Sequence, residues 1–221
     1  EGLYLGVDEY GRNVYIPWSL PSLHGVILGP TGSGKTTLAK AIAVRLAEKY
    51  PVIVVDPHMD WGNVADYVVD LSRDGLDLWE NASDRDYREW VIRSNLRGID
   101  FKNILKYFNG RLRVKDFLEG LSRITVLYTG RLPLPVQKFM VQMFVAILRS
   151  YLKKPVHKPK IWFIVDEGHH LLKGAGEESS IVSLYAEVRK FGLNIVTLTQ
   201  FVSDIPAKIV VNAGWIIALP G

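Results

Sequence analysis

The chain has 221 residues, a net charge of +4 and no cysteine. This length suits one α/β domain with a substantial buried core, and the lack of cysteine excludes disulfides and thiolate metal sites. No apolar run reaches the roughly 18 residues that span a bilayer, so we expect no transmembrane segment within this chain. The modest positive charge permits a polyanionic partner but does not require one.

The first part of the chain alternates between strand and helix patterns. Short apolar runs at 3–5 and 13–16 flank a turn and predict a hairpin. The apolar run at 25–28 predicts a buried strand that leads into a glycine-rich turn. Apolar residues at helical spacing predict a helix over 34–50, and the β-branched run at 52–55 predicts the next strand.

The middle of the chain, 57–123, is the least regular part, with helical patches only near 84–97 and 101–108. Beyond it the alternation resumes. Apolar runs predict four further strands and helical periodicity predicts two helices, in the chain order strand 124–128, helix 136–151, strand 161–165, helix 177–191, strand 194–199 and strand 215–219. This alternation indicates an α/β fold with a mainly parallel sheet and helices on both faces.

The turn after the strand at 25–28 matches the phosphate-loop pattern G-x-x-x-x-G-K-[ST] and precedes a helix, which is the context this motif requires. Backbone N–H groups of such a loop bind phosphates, the lysine reaches the β- and γ-phosphates, and the hydroxyl that follows it ligates Mg²⁺. A chance glycine-rich turn would not explain the complete match. The expected ATP-binding residues are Gly29, Pro30, Thr31, Gly32, Ser33, Gly34, Lys35, Thr36 and Thr37, with Thr36 also on the metal.

A pair of acids, Asp166 and Glu167, follows the apolar strand at 161–165. Ligands of open α/β sheets bind at the carboxyl ends of the strands, so the pair is expected near the phosphate loop. Asp166 suits the Mg²⁺ shell, and Glu167 could activate the attacking water. The second carboxylate favours ATP hydrolysis over a nucleotide switch, the alternative being a surface pair that caps the next turn.

Further short sequences occur in an order that resembles the HerA/FtsK superfamily of P-loop ATPases, and the HerA-like DNA translocases most closely. They are the Leu-Gly at 5–6 with Gly11 and the strand at 14–16, the Asp-Pro-His at 56–58, the Asp-Glu-Gly-His at 166–169, the Arg-Lys-Phe-Gly at 189–192, and the polar strand end at 197–200. Met59 and Asp60 stand where the family usually has Gly-Glu. The resemblance covers the chain except about 60–120, which is variable in the family.

The resemblance implies a RecA-like (ASCE) fold in a single domain over 1–221, with an opening β-hairpin at 1–22 and a variable insertion at 60–120. In this family the ATPase cores form hexameric rings that drive double-stranded DNA through a central channel. The resemblance therefore implies a homo-hexamer of the full-length protein, with ATP between neighbouring subunits and an arginine of one subunit completing the site of the next.

The resemblance also assigns roles to residues outside the two main motifs. Gln200 would sense the γ-phosphate through its amide, the alternative being an ordinary surface glutamine. Arg189 is the candidate for the arginine that acts on the neighbouring subunit, and the alternative is an exposed helix residue. Lys190 and Arg131 are rival candidates for that role.

Other residues near these motifs receive structural interpretations. Asp56 and His58 are expected at the edge of the site, without a catalytic role. His169 and His170 are not expected to bind a metal, because adjacent histidines point in different directions and no further ligand is evident. The tryptophans within 61–90 are interpreted as packing residues.

A basic cluster in the variable segment is the candidate DNA contact, since ring motors grip the phosphate backbone mainly by charge. The alternative is a solvated helix face that also carries Asp116 and Glu119. The cluster comprises Lys102, Lys106, Arg111, Arg113 and Lys115.

The motifs predict a Mg²⁺-dependent ATPase, and the resemblance implies a ring-shaped motor that translocates double-stranded DNA, as a HerA-like helicase or translocase or a DNA transfer or packaging ATPase. A nuclease or a membrane channel is a candidate partner. The main alternative is a conjugation- or secretion-type ATPase that powers membrane transport or pilus assembly. A small-molecule kinase is disfavoured by the acid pair, and an ABC-type ATPase by the poor match at 71–75 to its glycine-rich signature. The chain starts without methionine, so we expect a fragment of a longer protein, in the cytoplasm or on the cytoplasmic face of a membrane.

Overall fold

A computed structural model describes residues 2–77, 106–107, 110–121, 123–152, 161–172 and 180–221, apart from the side chains of residues 180, 181 and 184. Two antiparallel strands open the chain, β1 (Gly2–Val7) and β2 (Asn13–Pro17). The turn between them is held by Asp8, whose Oδ1 accepts the backbone N–H groups of Tyr10 and Arg12 at 2.9 Å each. The predicted hairpin is therefore confirmed.

Seven further strands among the described residues form one parallel sheet. In chain order they are β3 (Gly25–Leu28), β4 (Val52–Asp56), β5 (Tyr67–Asp70), β6 (Ile124–Tyr128), β7 (Ile161–Val165), β8 (Leu193–Thr199) and β9 (Trp215–Ala218). Their order across the sheet is β5-β6-β4-β7-β8-β3-β9. The strand that leads into the phosphate loop, β3, is thus separated from the strand that leads into the acid pair, β7, only by β8.

Six α-helices lie in the described parts of the chain, together with 3₁₀ turns at Arg189–Phe191 and Val202–Asp204. The α-helices are α1 (Lys35–Leu46), α2 (Val114–Glu119), α3 (Leu134–Tyr151), α4 (His169–Leu172), α5 (Ser180–Val188) and α6 (Ala207–Asn212). Within the described residues, no helix combines the length and the apolar character that crossing a membrane requires.

Both faces of the sheet are buried, because successive side chains of a strand point to opposite faces. In β7, Phe163 and Val165 belong to the core that contains α3 and α5, whereas Trp162 and Ile164 belong to the core that contains α1. Phe144 of α3 stacks on Phe163 at a ring distance of 6.2 Å. This arrangement confirms the predicted α/β fold with helices on two faces.

The structure differs from the sequence-based expectations mainly in short elements. The helix expected over 34–50 ends at Leu46, and the chain continues in turns to the next strand. The patch at 84–97 lies outside the described residues, as does 101–108 apart from a turn at 106–107. Periodicity did not reveal α2, α4 and α6, since these helices have only six, four and six residues.

Candidate nucleotide and metal site

The phosphate loop joins β3 to α1 and depends on glycine at two positions. Gly32 and Gly34 have φ values of 83° and 91°, a backbone region that residues with a Cβ rarely adopt. The side chain of Lys35 is buried, and its Nζ donates to the carbonyl oxygens of Gly29 at 2.6 Å and Pro30 at 2.9 Å. The ammonium group therefore lies over the concave loop, where the phosphates of a nucleotide would bind.

The acid pair lies at the same edge of the sheet as the loop. Asp166 is buried, and its Oδ2 accepts the hydroxyl of Thr36 at 3.3 Å. Glu167 has a φ of 51°, in the left-handed region that costs a residue with a Cβ free energy. This backbone conformation turns the chain sharply at the strand end, and the next residue, Gly168, is tied to Leu198 of β8 by a 2.7 Å backbone hydrogen bond.

Burial and neighbouring acids raise the pKa of Asp166. Its removal from water is the main cause, hydrogen bonds from the Trp61 indole and the Glu167 backbone N–H act in the opposite direction, and the charges of Glu167 and Asp56 raise the pKa further. The negative charges of Glu167 and Asp56 therefore act on Asp166, which lies beside the hydroxyl of Thr36. Hard oxygen donors of this kind suit Mg²⁺, and a divalent cation would relieve the repulsion.

Gln200 follows the end of β8 and contacts the phosphate loop. Its Nε2 donates to the hydroxyl of Thr31 at 3.1 Å. Because β8 lies between β3 and β7, its end is placed between the loop and the acid pair. The amide thus contacts the phosphate loop from the strand that neighbours the one carrying the acid pair.

The rings of the adjacent residues His169 and His170 lie close together. The sequence analysis expected them to point in different directions and expected no metal there for that reason. The rings of His169 and His170 have centroids 4.2 Å apart, and His169 Nδ1 lies 3.3 Å from Glu167 Oε2. One ligand atom from each of these three residues falls within 4.8 Å of the others. Burial, followed by the charge of His169, lowers the pKa of His170. The expectation that the rings diverge is wrong, and the cluster includes the candidate base itself.

Trp61 is a site residue that the sequence pattern did not reveal. Its indole Nε1 donates to Asp166 Oδ2 at 2.9 Å across a separation of 105 residues. Its own backbone N–H is accepted by Asp56 Oδ2 at 3.0 Å. The sequence predicted only a packing role for this tryptophan. The feature that could have indicated its contact with the site is its position five residues after Asp56, where β4, the neighbour of β7, ends.

Arg189 lies far from the phosphate loop of its own chain. It belongs to the 3₁₀ turn just before β8 begins, so it sits at the edge of the sheet opposite the loop, and its Nη1 donates to the Pro21 carbonyl at 3.1 Å. The rival Arg131 pairs with Asp70 at 3.2 Å, and Lys190 is exposed. A role for Arg189 on a nucleotide therefore requires a neighbouring subunit.

The described members of the basic cluster are interspersed with acids. Arg113 lies 3.9 Å from Asp77, and Lys115 lies 3.9 Å from Glu119 on the same helix, α2. Lys102 is outside the described residues. These weak exposed pairs leave the cluster accessible to solvent, so its role in DNA contact stays a prediction.

A parallel sheet with a glycine-rich phosphate loop at one strand end and an acid pair two strands away, whose Asp166 is buried, defines a P-loop ATPase. Residues 5–190 match the family described as the central domain of the helicase HerA. The match spans well over half of the chain, so the chain belongs to this family and the resemblance seen in the sequence is confirmed. A comparison with curated protein sequences gives no match.

Solved structures show the same fold at low sequence identity. VirB4 of Thermoanaerobacter pseudethanolicus is similar with a TM-score of 0.65 and 14% identity, over 97% of this chain and 81% of that one. The bacterial conjugative coupling protein TrwBΔN70 has a TM-score of 0.57 and 15% identity, over 95% and 71% of the two chains. The genome-packaging NTPase B204 of Sulfolobus turreted icosahedral virus 2, in complex with AMP, has a TM-score of 0.50 and 16% identity, over 87% and 72%.

Proposed function

We propose that this chain is a Mg²⁺-dependent ATPase motor that translocates double-stranded DNA as a ring-shaped homo-hexamer of the full-length protein. The observation that carries the ATPase part is the contact between Thr36, directly after the phosphate-loop lysine, and Asp166, at the end of β7. It brings the two halves of a nucleotide site together at one sheet edge. Two of the structural relatives, a genome-packaging NTPase and a conjugative coupling protein, support the DNA part.

ATP binds in the phosphate loop through backbone N–H groups within 31–36 and the positive end of α1. Lys35 exchanges its two carbonyl partners for the β- and γ-phosphates, a short movement because those carbonyls belong to the loop itself. Thr36 and Asp166 would hold Mg²⁺. The metal, when bound, neutralises charge on the phosphates and orients them for attack.

Glu167 is the general base. Its carboxylate follows directly after Asp166 and lies 3.3 Å from His169 Nδ1, and as a base it would accept a proton from a water molecule aligned with the γ-phosphate. Gln200, in contact with Thr31, senses the presence of that phosphate. Arg189 acts on the nucleotide of a neighbouring subunit, which accounts for its distance from its own phosphate loop, and it stabilises charge in the transition state.

The alternative function is a conjugation- or secretion-type ATPase that powers membrane transport or pilus assembly without acting on DNA directly. The similarity of the fold to a conjugative coupling protein favours it. Both functions place the protein in the cytoplasm or at the cytoplasmic face of a membrane, with a nuclease or a membrane channel as a further partner. They share the nucleotide chemistry and differ in what stimulates it.

The test is ATP hydrolysis by the full chain at low salt, with and without double-stranded DNA, for the wild type and for Glu167→Gln. Hydrolysis that rises with DNA, falls with added salt and vanishes in the variant supports the motor and the base together. Hydrolysis that needs Glu167 but ignores DNA at every salt concentration supports the alternative. Full activity of the variant would refute the assignment of the base.

A further inference from the structure

Trp61 combines complete burial with a hydrogen bond to a catalytic-site carboxylate. The side chain is 0% exposed and packs in the core that also contains Ile42 of α1 and Ile164 of β7. Its indole Nε1 donates to Asp166 Oδ2 at 2.9 Å, a distance typical of a charge-assisted hydrogen bond. The ring is therefore fixed by packing on its apolar faces, with its single donor directed at the acid.

Trp162 shows that burial of an indole in this protein does not by itself require such a bond. It is also 0% exposed and lies on the same face of β7 as Ile164. Its Nε1 has no hydrogen-bond partner among the described residues. Trp61 thus donates a hydrogen bond to Asp166, whereas the equally buried Trp162 does not.

Both oxygens of Asp166 are occupied by protein donors that fix the plane of the carboxylate. Oδ1 accepts the backbone N–H of Glu167 at 2.9 Å. Oδ2 accepts the Trp61 indole at 2.9 Å and the hydroxyl of Thr36 at 3.3 Å. The indole is the only one of these three donors that comes from outside the phosphate loop and the acid turn, so it holds the carboxylate from a third direction.

The position of Trp61 is itself set by a second buried acid. Asp56, 1% exposed at the end of β4, accepts the backbone N–H groups of His58 and Trp61 at 3.0 Å each. These bonds fold the chain after β4 into a tight loop that places the indole against the end of the neighbouring strand, β7. A continuous series of hydrogen bonds therefore runs from Asp56 through Trp61 to Asp166.

We propose that Trp61 is a positioning residue for the metal-binding carboxylate Asp166, and that Asp56 holds it in place. The proposal rests on the proposed function, because it assigns Asp166 to Mg²⁺. Partners that orient a metal ligand through a hydrogen bond raise the affinity for the metal without touching it. Trp61 thus acts on the coupling between Mg²⁺ and nucleotide, whereas nucleotide contacts of the phosphate loop do not depend on it.

The experiment compares Trp61→Phe, which keeps an aromatic ring and removes the N–H, with Trp162→Phe as the matched control. Binding of AMPPNP to the full chain is measured by calorimetry in EDTA and in Mg²⁺. The dissociation constant in EDTA divided by that in Mg²⁺ reports how strongly the metal tightens nucleotide binding. We expect this ratio to fall about 10-fold or more in Trp61→Phe, at unchanged affinity in EDTA, and to stay at the wild-type value in Trp162→Phe.

Two outcomes would overturn the assignment of Trp61: a wild-type ratio in Trp61→Phe, or an equal loss in Trp162→Phe, which would indicate a general packing effect. A wild-type protein that neither hydrolyses ATP nor binds AMPPNP more tightly with Mg²⁺ would instead refute the proposed function. Thermal melting checks that each variant is folded.

A measurement on the wild type decides the question if Trp61→Phe does not fold. In protein labelled with ¹⁵N-tryptophan, the six indole N–H groups give separate signals. Adding Mg²⁺ to the AMPPNP complex should shift the Trp61 indole signal, because its acceptor becomes a metal ligand, and should leave the Trp162 signal in place. An unmoved Trp61 signal would refute the proposal.

Discussion

Acidification is expected to destabilise this protein through one buried histidine, His24. The side chain is 3% exposed just before β3, and both ring nitrogens are used. Nδ1 accepts the backbone N–H of Ile195 at 2.9 Å, and Nε2 lies 2.7 Å from the Tyr185 carbonyl, to which it donates its proton. The fold therefore holds the neutral ring, and a second proton would have to displace the N–H of Ile195.

The pKa of His24 falls from 6.5 to about 4, mainly because burial disfavours the charged ring, with a further contribution from the charge of Arg189. The unfolded chain binds a proton below about pH 6.5, whereas the folded chain does so only below about pH 4, so stability is lost as the pH falls between these values. From about pH 7.5 to about pH 5, linkage gives a loss of about 2 kcal/mol. This is a large share of a typical free energy of unfolding of about 5–15 kcal/mol.

The assay is urea unfolding of the wild type and of His24→Asn at both pH values. The variant is less stable at either pH, but the decrease on acidification should be smaller by about 2 kcal/mol, because the titrating ring is gone. Other groups titrate in both proteins and cancel in the difference. An equal decrease in both proteins would refute the neutral, buried assignment of His24.

Three further perturbations test the site. Gly34→Ala should weaken nucleotide binding by about tenfold, because φ = 91° at this position strains any residue with a Cβ by about 1–2 kcal/mol; calorimetry with AMPPNP measures it. Arg189→Ala should lower DNA-stimulated ATP hydrolysis by about 10³-fold or more while leaving nucleotide affinity unchanged, if the arginine acts across subunits. Added Zn²⁺ should inhibit hydrolysis by binding the cluster of Glu167, His169 and His170, and the double change of both histidines to Gln should raise the Zn²⁺ concentration needed for half inhibition.

Each of these perturbations has a matched control or a contradicting result. Gly62→Ala should bind nucleotide normally, because a Cβ there meets no atom within 4 Å. Lys190→Ala should retain hydrolysis, and an equal loss in it would shift the role away from Arg189. Zn²⁺ inhibition that is unchanged in the double histidine variant would mean that the metal acts elsewhere, for example by replacing Mg²⁺ on the nucleotide.

The sequence was sufficient to predict the motifs that depend on local order. The phosphate loop, the acid pair and Gln200 each follow a strand directly, so the strand pattern alone indicates the edge of the sheet at which they lie. The structure confirms the predicted parallel sheet and places Thr36 against Asp166 and Gln200 against Thr31. The catalytic roles of these residues stay predictions, since geometry alone does not measure them.

The features that escaped prediction depend on contacts between distant parts of the chain or on very short elements. The bond between Trp61 and Asp166 joins the segments that follow β4 and β7, two strands that are neighbours only in the folded sheet. The rings of His169 and His170 lie together in a four-residue helix, which is too short to show any periodicity. The edge strand β5 has only four residues, and its apolar run of three, Tyr67 to Val69, is too short to identify a strand within an irregular segment.

The order of residues after β8 has a mechanical consequence. Gln200, which contacts the phosphate loop, is followed immediately by Phe201 and Val202, whose side chains are 59% and 49% exposed. A displacement of the glutamine would move these apolar side chains at once, since a single peptide bond separates Gln200 from Phe201. A change in the bound nucleotide that displaces Gln200 would thus alter exposed apolar side chains directly, without any rearrangement of the sheet.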